Sequence, residues 1–96
     1  MHQIPAEIMR DVGSLVSRLE ALGFNPVASS YSPQVMGNWY VDLTGPKRSL
    51  RIIKDRSQFF VDGDRNELEP AGLWRVIDDP REFEKKLISW LVGAGR

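Results

Sequence analysis

The sequence predicts an α+β fold: a two-layer sandwich with an N-terminal helix, an antiparallel sheet of four to five strands and a C-terminal helix. Three observations carry this expectation. Apolar residues recur at helical spacing at both ends of the chain, they recur with a period of two in between, and the joining segments there are as short as hairpin loops. Helix, antiparallel strands and helix in that order fit neither a doubly wound parallel sheet nor a helical bundle.

Ile4, Ile8, Val12, Leu15, Leu19 and Leu22 are separated by four, four, three, four and three residues, which puts them on one stripe of a helix over about residues 5–22. Pro5 suits its first turn and Gly23 its C′ position. Gly13 costs such a helix up to about 1 kcal/mol relative to alanine, so a close crossing is expected there.

The middle of the chain alternates. Trp39, Val41 and Leu43 interleave with Tyr40, Asp42 and Thr44; Leu50 and Ile52 with Arg51 and Ile53; Phe59 and Val61 with Phe60 and Asp62. Gly45-Pro46-Lys47-Arg48 and Arg56-Ser57 make the two connections. A less regular strand is expected around Val27 to Tyr31, and residues 73–77 read either as a fifth strand or as a helical turn.

Loop length fixes register. A two-residue loop at Arg56-Ser57 pairs Ile53 with Phe60, Ile52 with Val61 and Arg51 with Asp62, while a four-residue loop at Gly45–Arg48 pairs Asp42 with Arg51, Val41 with Ile52 and Tyr40 with Ile53. One face then gathers Trp39, Val41, Leu43, Leu50, Ile52, Phe59 and Val61 as core. The other carries a charged row, Asp42, Arg51 and Asp62, beside an apolar row, Tyr40, Ile53 and Phe60. Large contiguous apolar groups on the outer face of a two-layer domain need an explanation. The 31–38 connection, a second copy of the chain (a homodimer) or a foreign protein partner would each cover them.

The C-terminal helix opens at Asp79 as cap, with Pro80 at the first position and Glu82 placed to complete a capping box. Phe83, Leu87, Trp90 and Leu91 form its stripe, and Gly93 and Gly95 end the pattern. Trp39, Trp74 and Trp90 are all expected in the core.

Residues 1–96 make a single domain on length alone. Thirteen basic residues balance thirteen acidic ones, so no global field draws the chain to nucleic acid or to an anionic membrane. With no cysteine there is no disulfide or thiolate chemistry, and the one histidine, His2, sits near the N-terminus. No apolar run approaches the roughly 20 residues that cross a bilayer, and no signal peptide opens the chain, so a cytoplasmic location is expected. Neither a phosphate-binding loop nor a dinucleotide fingerprint is present. Asp62-Gly63-Asp64-Arg65-Asn66 begins like a calcium loop, but Glu67 and Leu73 stand where glycine and glutamate are needed, so it reads as a turn. Asp78-Asp79 reads as turn and cap rather than an acid pair. No metal or cofactor is expected.

Charge is nevertheless segregated. Lys47, Arg48, Arg51, Lys54 and Arg56 against Asp55 make residues 47–56 basic, while residues 62–69 are acidic. The basic hairpin beside an aromatic row leaves nucleic-acid binding as an alternative, and an enzyme working through carboxylates or arginine as another. Missing catalytic constellations and available interface anchors favour a non-enzymatic protein-interaction domain, with Tyr40, Arg51, Ile53 and Phe60 as its first contacts and Arg48 and Arg56 next.

In size and architecture, including the aromatic strand Trp39-Tyr40, the segment Leu73-Trp74-Arg75 and the helix from Phe83 to Trp90, the whole chain resembles the small cytoplasmic α+β immunity proteins of bacterial toxin and immunity pairs. The resemblance implies stoichiometric binding of a toxin that occludes its active site or the site it uses to enter, without turnover. It transfers no residue roles, because such families differ in binding face.

Overall fold

The structure, a computed structural model, describes residues 2–94. The chain runs α1 (Ala6–Ala21), β1 (Asn25–Ser32), β2 (Asn38–Thr44), β3 (Ser49–Asp55), β4 (Gln58–Asp62), a short α2 (Arg65–Leu68) and α3 (Pro80–Ala94). The strands form one antiparallel sheet in sequential order, β1-β2-β3-β4. This is the α+β arrangement of helix, four-stranded sheet and helix expected from the pattern.

Both hairpin registers follow from loop length. Ile53 lies opposite Phe60 and Tyr40 opposite Ile53, as do Ile52 and Val61, Val41 and Ile52, and Arg51 between Asp42 and Asp62. The β3–β4 turn holds Arg56 at φ 54° and Ser57 at φ 66°, the left-handed backbone that a two-residue hairpin with the right twist demands. The β2–β3 turn closes with Gly45 N–H donating to Arg48 O at 2.8 Å. Gly45 is required there by packing: a Cβ would run into the ring of Phe24, which is fully buried.

Ile8, Val12, Leu15, Val16 and Leu19 of α1 and Phe83, Leu87 and Leu91 of α3 seal against Trp39, Val41, Leu43, Leu50, Ile52, Phe59 and Val61. Ile4 and Leu22, the ends of the predicted stripe, are half-buried against this cluster. Gly13 makes no close crossing, since a Cβ there would meet nothing nearer than Met9 Cε at 3.8 Å. It instead follows a kink, because Val12 leaves helical geometry at φ −132°, ψ 24°. Glu84 of α3 ties the two helices together, accepting from Ser14 and Arg18 of α1, each at 3.1 Å.

Asp79 caps α3 as predicted, its Oδ1 accepting from Arg81 N–H at 3.0 Å. Glu82 does not return to complete the box. Its carboxylate is taken by Arg75 at 3.0 Å and Lys86 at 3.5 Å, charged donors that outcompete a backbone amide. The helix continues past Gly93, and Gly95, the other expected terminator, lies outside the described residues. Asp62–Asn66 forms a turn and cap, with Asp64 Oδ1 accepting from Asn66 N–H at 2.9 Å at the start of α2.

Residues 73–77 are neither a full strand nor a helix. Only Ile77 joins the sheet, through a bridge in which it and Phe59 exchange two backbone bonds of 2.8 Å. Leu73 and Ile77 are buried, whereas Trp74, Arg75 and Val76 between them are exposed.

Candidate functional site

With both helices packed on the core face, the alternate residues of each strand line an outer face that neither helix covers. Register sets three outer rows across β1 to β4: Ala28, Asp42, Arg51 and Asp62; Ser30, Tyr40, Ile53 and Phe60; Ser32, Asn38, Asp55 and Gln58. Tyr40, Ile53 and Phe60 are adjacent and half-buried, shielded by one another rather than by a covering layer. The 33–37 connection turns at the end of the sheet through Val35 N–H to Ser32 O and Asn38 N–H to Val35 O. Gly37 rests beside Tyr31, whose partner in the ladder is the core residue Trp39.

The apolar row reaches further than the strands. Phe60, Trp74 and Val76 line one shallow depression at the β4 side, with Trp74 47% and Val76 46% exposed. The expectation that Trp74 is core is thereby corrected. The segment is pinned inward at Leu73 and at the single Ile77 bridge, and Trp74, Arg75 and Val76 between those two points stay on the surface. Trp39 is core as expected, 3% exposed, and Trp90 is only half-buried, at the margin of the core.

The six predicted contact residues fall in three places. Tyr40, Arg51, Ile53 and Phe60 share the outer face. The Arg51 guanidinium lies over the Tyr40 ring, 4.2 Å from its centroid, and grips Asp42 with two bonds, Nε to Oδ1 at 2.7 Å and the terminal nitrogen to Oδ2 at 2.9 Å. This fork raises the Arg51 pKa above its ordinary value, chiefly through the Asp42 hydrogen bond. Arg51 is thus flanked by two carboxylates in register but paired with one, and it presents a flat, oriented surface beside the apolar row.

Arg48 belongs elsewhere. Its guanidinium lies over Trp90 at 4.7 Å and faces Glu67 at 3.6 Å, in a groove of about 780 Å³ along α3 on the helix side of the molecule. Among the described residues its buried Nε has no hydrogen-bond partner. A turn residue is not bound by the alternation of the strands it joins, so sequence parity could not place it. Arg56 sits at the opposite end of β3, in the β3–β4 turn, with its side chain 80% exposed and 3.9 Å from Asp55. The basic hairpin is therefore spread over two ends and two faces.

One polar cluster escaped the sequence reading. Asp11 of α1 accepts from Trp39 Nε1 at 3.1 Å and from Lys54 Nζ at 2.9 Å. Burial alone would push its carboxyl up, but the bonds from Lys54 and Trp39, with the charges of Lys54 and Arg10, hold it below the ordinary value. The available signal was Lys54, which shares the inward parity of Leu50 and Ile52 and so requires an acidic partner.

Among the described residues no three histidine, aspartate or glutamate side chains gather as metal ligands, and no helix is long and apolar enough to cross a membrane. Compared with known proteins, the chain matches no family model, no curated protein and no solved structure.

Proposed function

We propose that the chain is a non-enzymatic protein-binding domain whose outer sheet face is its contact surface, acting as an immunity protein acts, by stoichiometric occlusion of a toxin in the cytoplasm. The observation that carries this reading is the continuous apolar row Tyr40, Ile53, Phe60 and Val76, with Trp74 beside it, left uncovered by the helices. Aromatic anchors flanked by an oriented arginine match the composition of interface centres. The Arg51–Asp42 fork supports the same reading, because a preformed pair needs little ordering when a partner arrives. Dispersal of Arg48, Arg51 and Arg56 favours a protein over nucleic acid, since a phosphate backbone is bound by cations on one track.

The test is affinity capture from native cell lysate with the wild-type chain and with Phe60→Glu/Trp74→Ala, each verified as folded by circular dichroism. The reading expects a protein recovered in fixed stoichiometry by the wild type and lost by the double variant. Equal recovery by both moves the contact off this face, and recovery of the bare chain alone counts against a stable partner.

A further inference from the structure

We infer that the open edge of β1 pairs with β1 of a second copy of this chain, forming a two-fold antiparallel dimer with one continuous sheet. This rests on the strand edge and its charge, not on the outer apolar row, and it leaves that row free for another partner.

The two edges of the sheet are unlike. At β4 the edge is partly occupied, since Phe59 spends both backbone groups on Ile77. At β1 the ladder to β2 uses one side of the strand. Among the described residues, the other backbone bond to β1 outside that ladder is the turn bond from Val35 N–H to Ser32 O. His2 reaches Ser29 at 2.7 Å through side chains and leaves the main chain unengaged.

Natural edge strands are blunted by charge, proline or a bulge. Pro26 and the irregularity between Pro26 and Ala28 blunt the start of β1, but Ala28–Ser32 carries none of these. The absence of charge is wider than the strand. From Ala21 to Val41 there is no charged side chain, in a chain that is 27% charged. Val27, Val35 and Met36, three of the exposed large apolar residues, lie within this stretch, Met36 being 73% exposed.

A second copy suits this edge for three reasons. It presents the same uncharged strand, so no charge meets an apolar or like-charged neighbour. The chain's net charge of zero sets up no repulsion between copies. A symmetric β1–β1 pairing also closes the assembly at two, since it consumes the β1 edge of both copies. Centring the two-fold axis on Ser30, the middle of the unblunted segment, aligns the outer faces of both copies. Ala28 then lies opposite the partner's Ser32.

Sedimentation equilibrium of the full chain across micromolar to millimolar concentration tests the proposal. The expected result is a rise to twice the 10.9 kDa chain mass, with Ala28→Lys/Ser32→Lys held at the monomer mass by lysines facing lysines. Ala28→Lys/Ser32→Glu restores the doubled mass, because each lysine then faces a glutamate. Circular dichroism confirms that both variants fold, and the wild-type mass remains decisive should either fail. A wild-type monomer throughout the range overturns the proposal. So does a doubled mass for the lysine pair, or a monomer mass for the folded lysine–glutamate variant.

Discussion

The two faces of the sheet are built from the same strands with the same alternation, yet they answer to different demands. On the helix side, Val41, Ile52 and Val61 form a row sealed by α1 and α3. One residue along each strand, Tyr40, Ile53 and Phe60 form a row of comparable size that stays half-buried, with the Arg51–Asp42 fork beside it. Apolar character alone therefore does not separate core from surface in this domain. What separates them is whether a second layer exists to complete the burial, and among the described residues that layer lies on one side only. The inner face is sealed core, and the outer face holds its aromatic side chains and the Arg51–Asp42 pair without such a seal.

Substitutions that distinguish the faces should fall in a steep order. Ile52→Ala, which empties a fully buried site, is expected to cost about 2–5 kcal/mol in urea unfolding. Gly45→Ala forces Phe24 to move inside the same core and should cost about 1–3 kcal/mol, seen as a lower thermal midpoint with an unchanged fold. Asp11→Asn weakens the links from α1 to Trp39 and Lys54 and should cost about 1 kcal/mol at pH 7. Because the folded Asp11 carboxyl titrates below its ordinary value, its contribution is present above the unfolded pKa and vanishes as pH falls through the folded one. The wild type should thus converge on the variant below about pH 4. Trp74→Ala, on the outer side, is expected to change stability by only about 0.5 kcal/mol by the same unfolding assay.

Legibility in the sequence followed the same division. The β2–β3–β4 register was readable because two short loops and a strict period of two leave one consistent pairing, from Lys54–Phe59 through Arg51–Asp62. The first strand was less clear since Ser29 takes an inward position normally held by an apolar residue and a bulge interrupts the alternation near Val27. Tyr40, Arg51, Ile53 and Phe60 could be grouped because parity assigns a face to every strand residue. Parity fails where the chain is irregular. Trp74 was expected inward, although a segment held by one bridge has no ladder to enforce its direction, and Arg48 left its expected neighbours because it lies in a turn. Val76 carried no signal until Ile77 was seen to pair with Phe59.

The central claim is that the outer apolar row is surface and the inner row is scaffold. Equilibrium urea unfolding of Phe60→Glu tests it most directly, because a carboxylate is tolerated where water reaches and excluded where it does not. The account predicts a cooperative transition with the wild-type slope and a loss of about 1 kcal/mol or less. A chain that fails to fold, or that loses as much stability as Ile52→Ala, would contradict it.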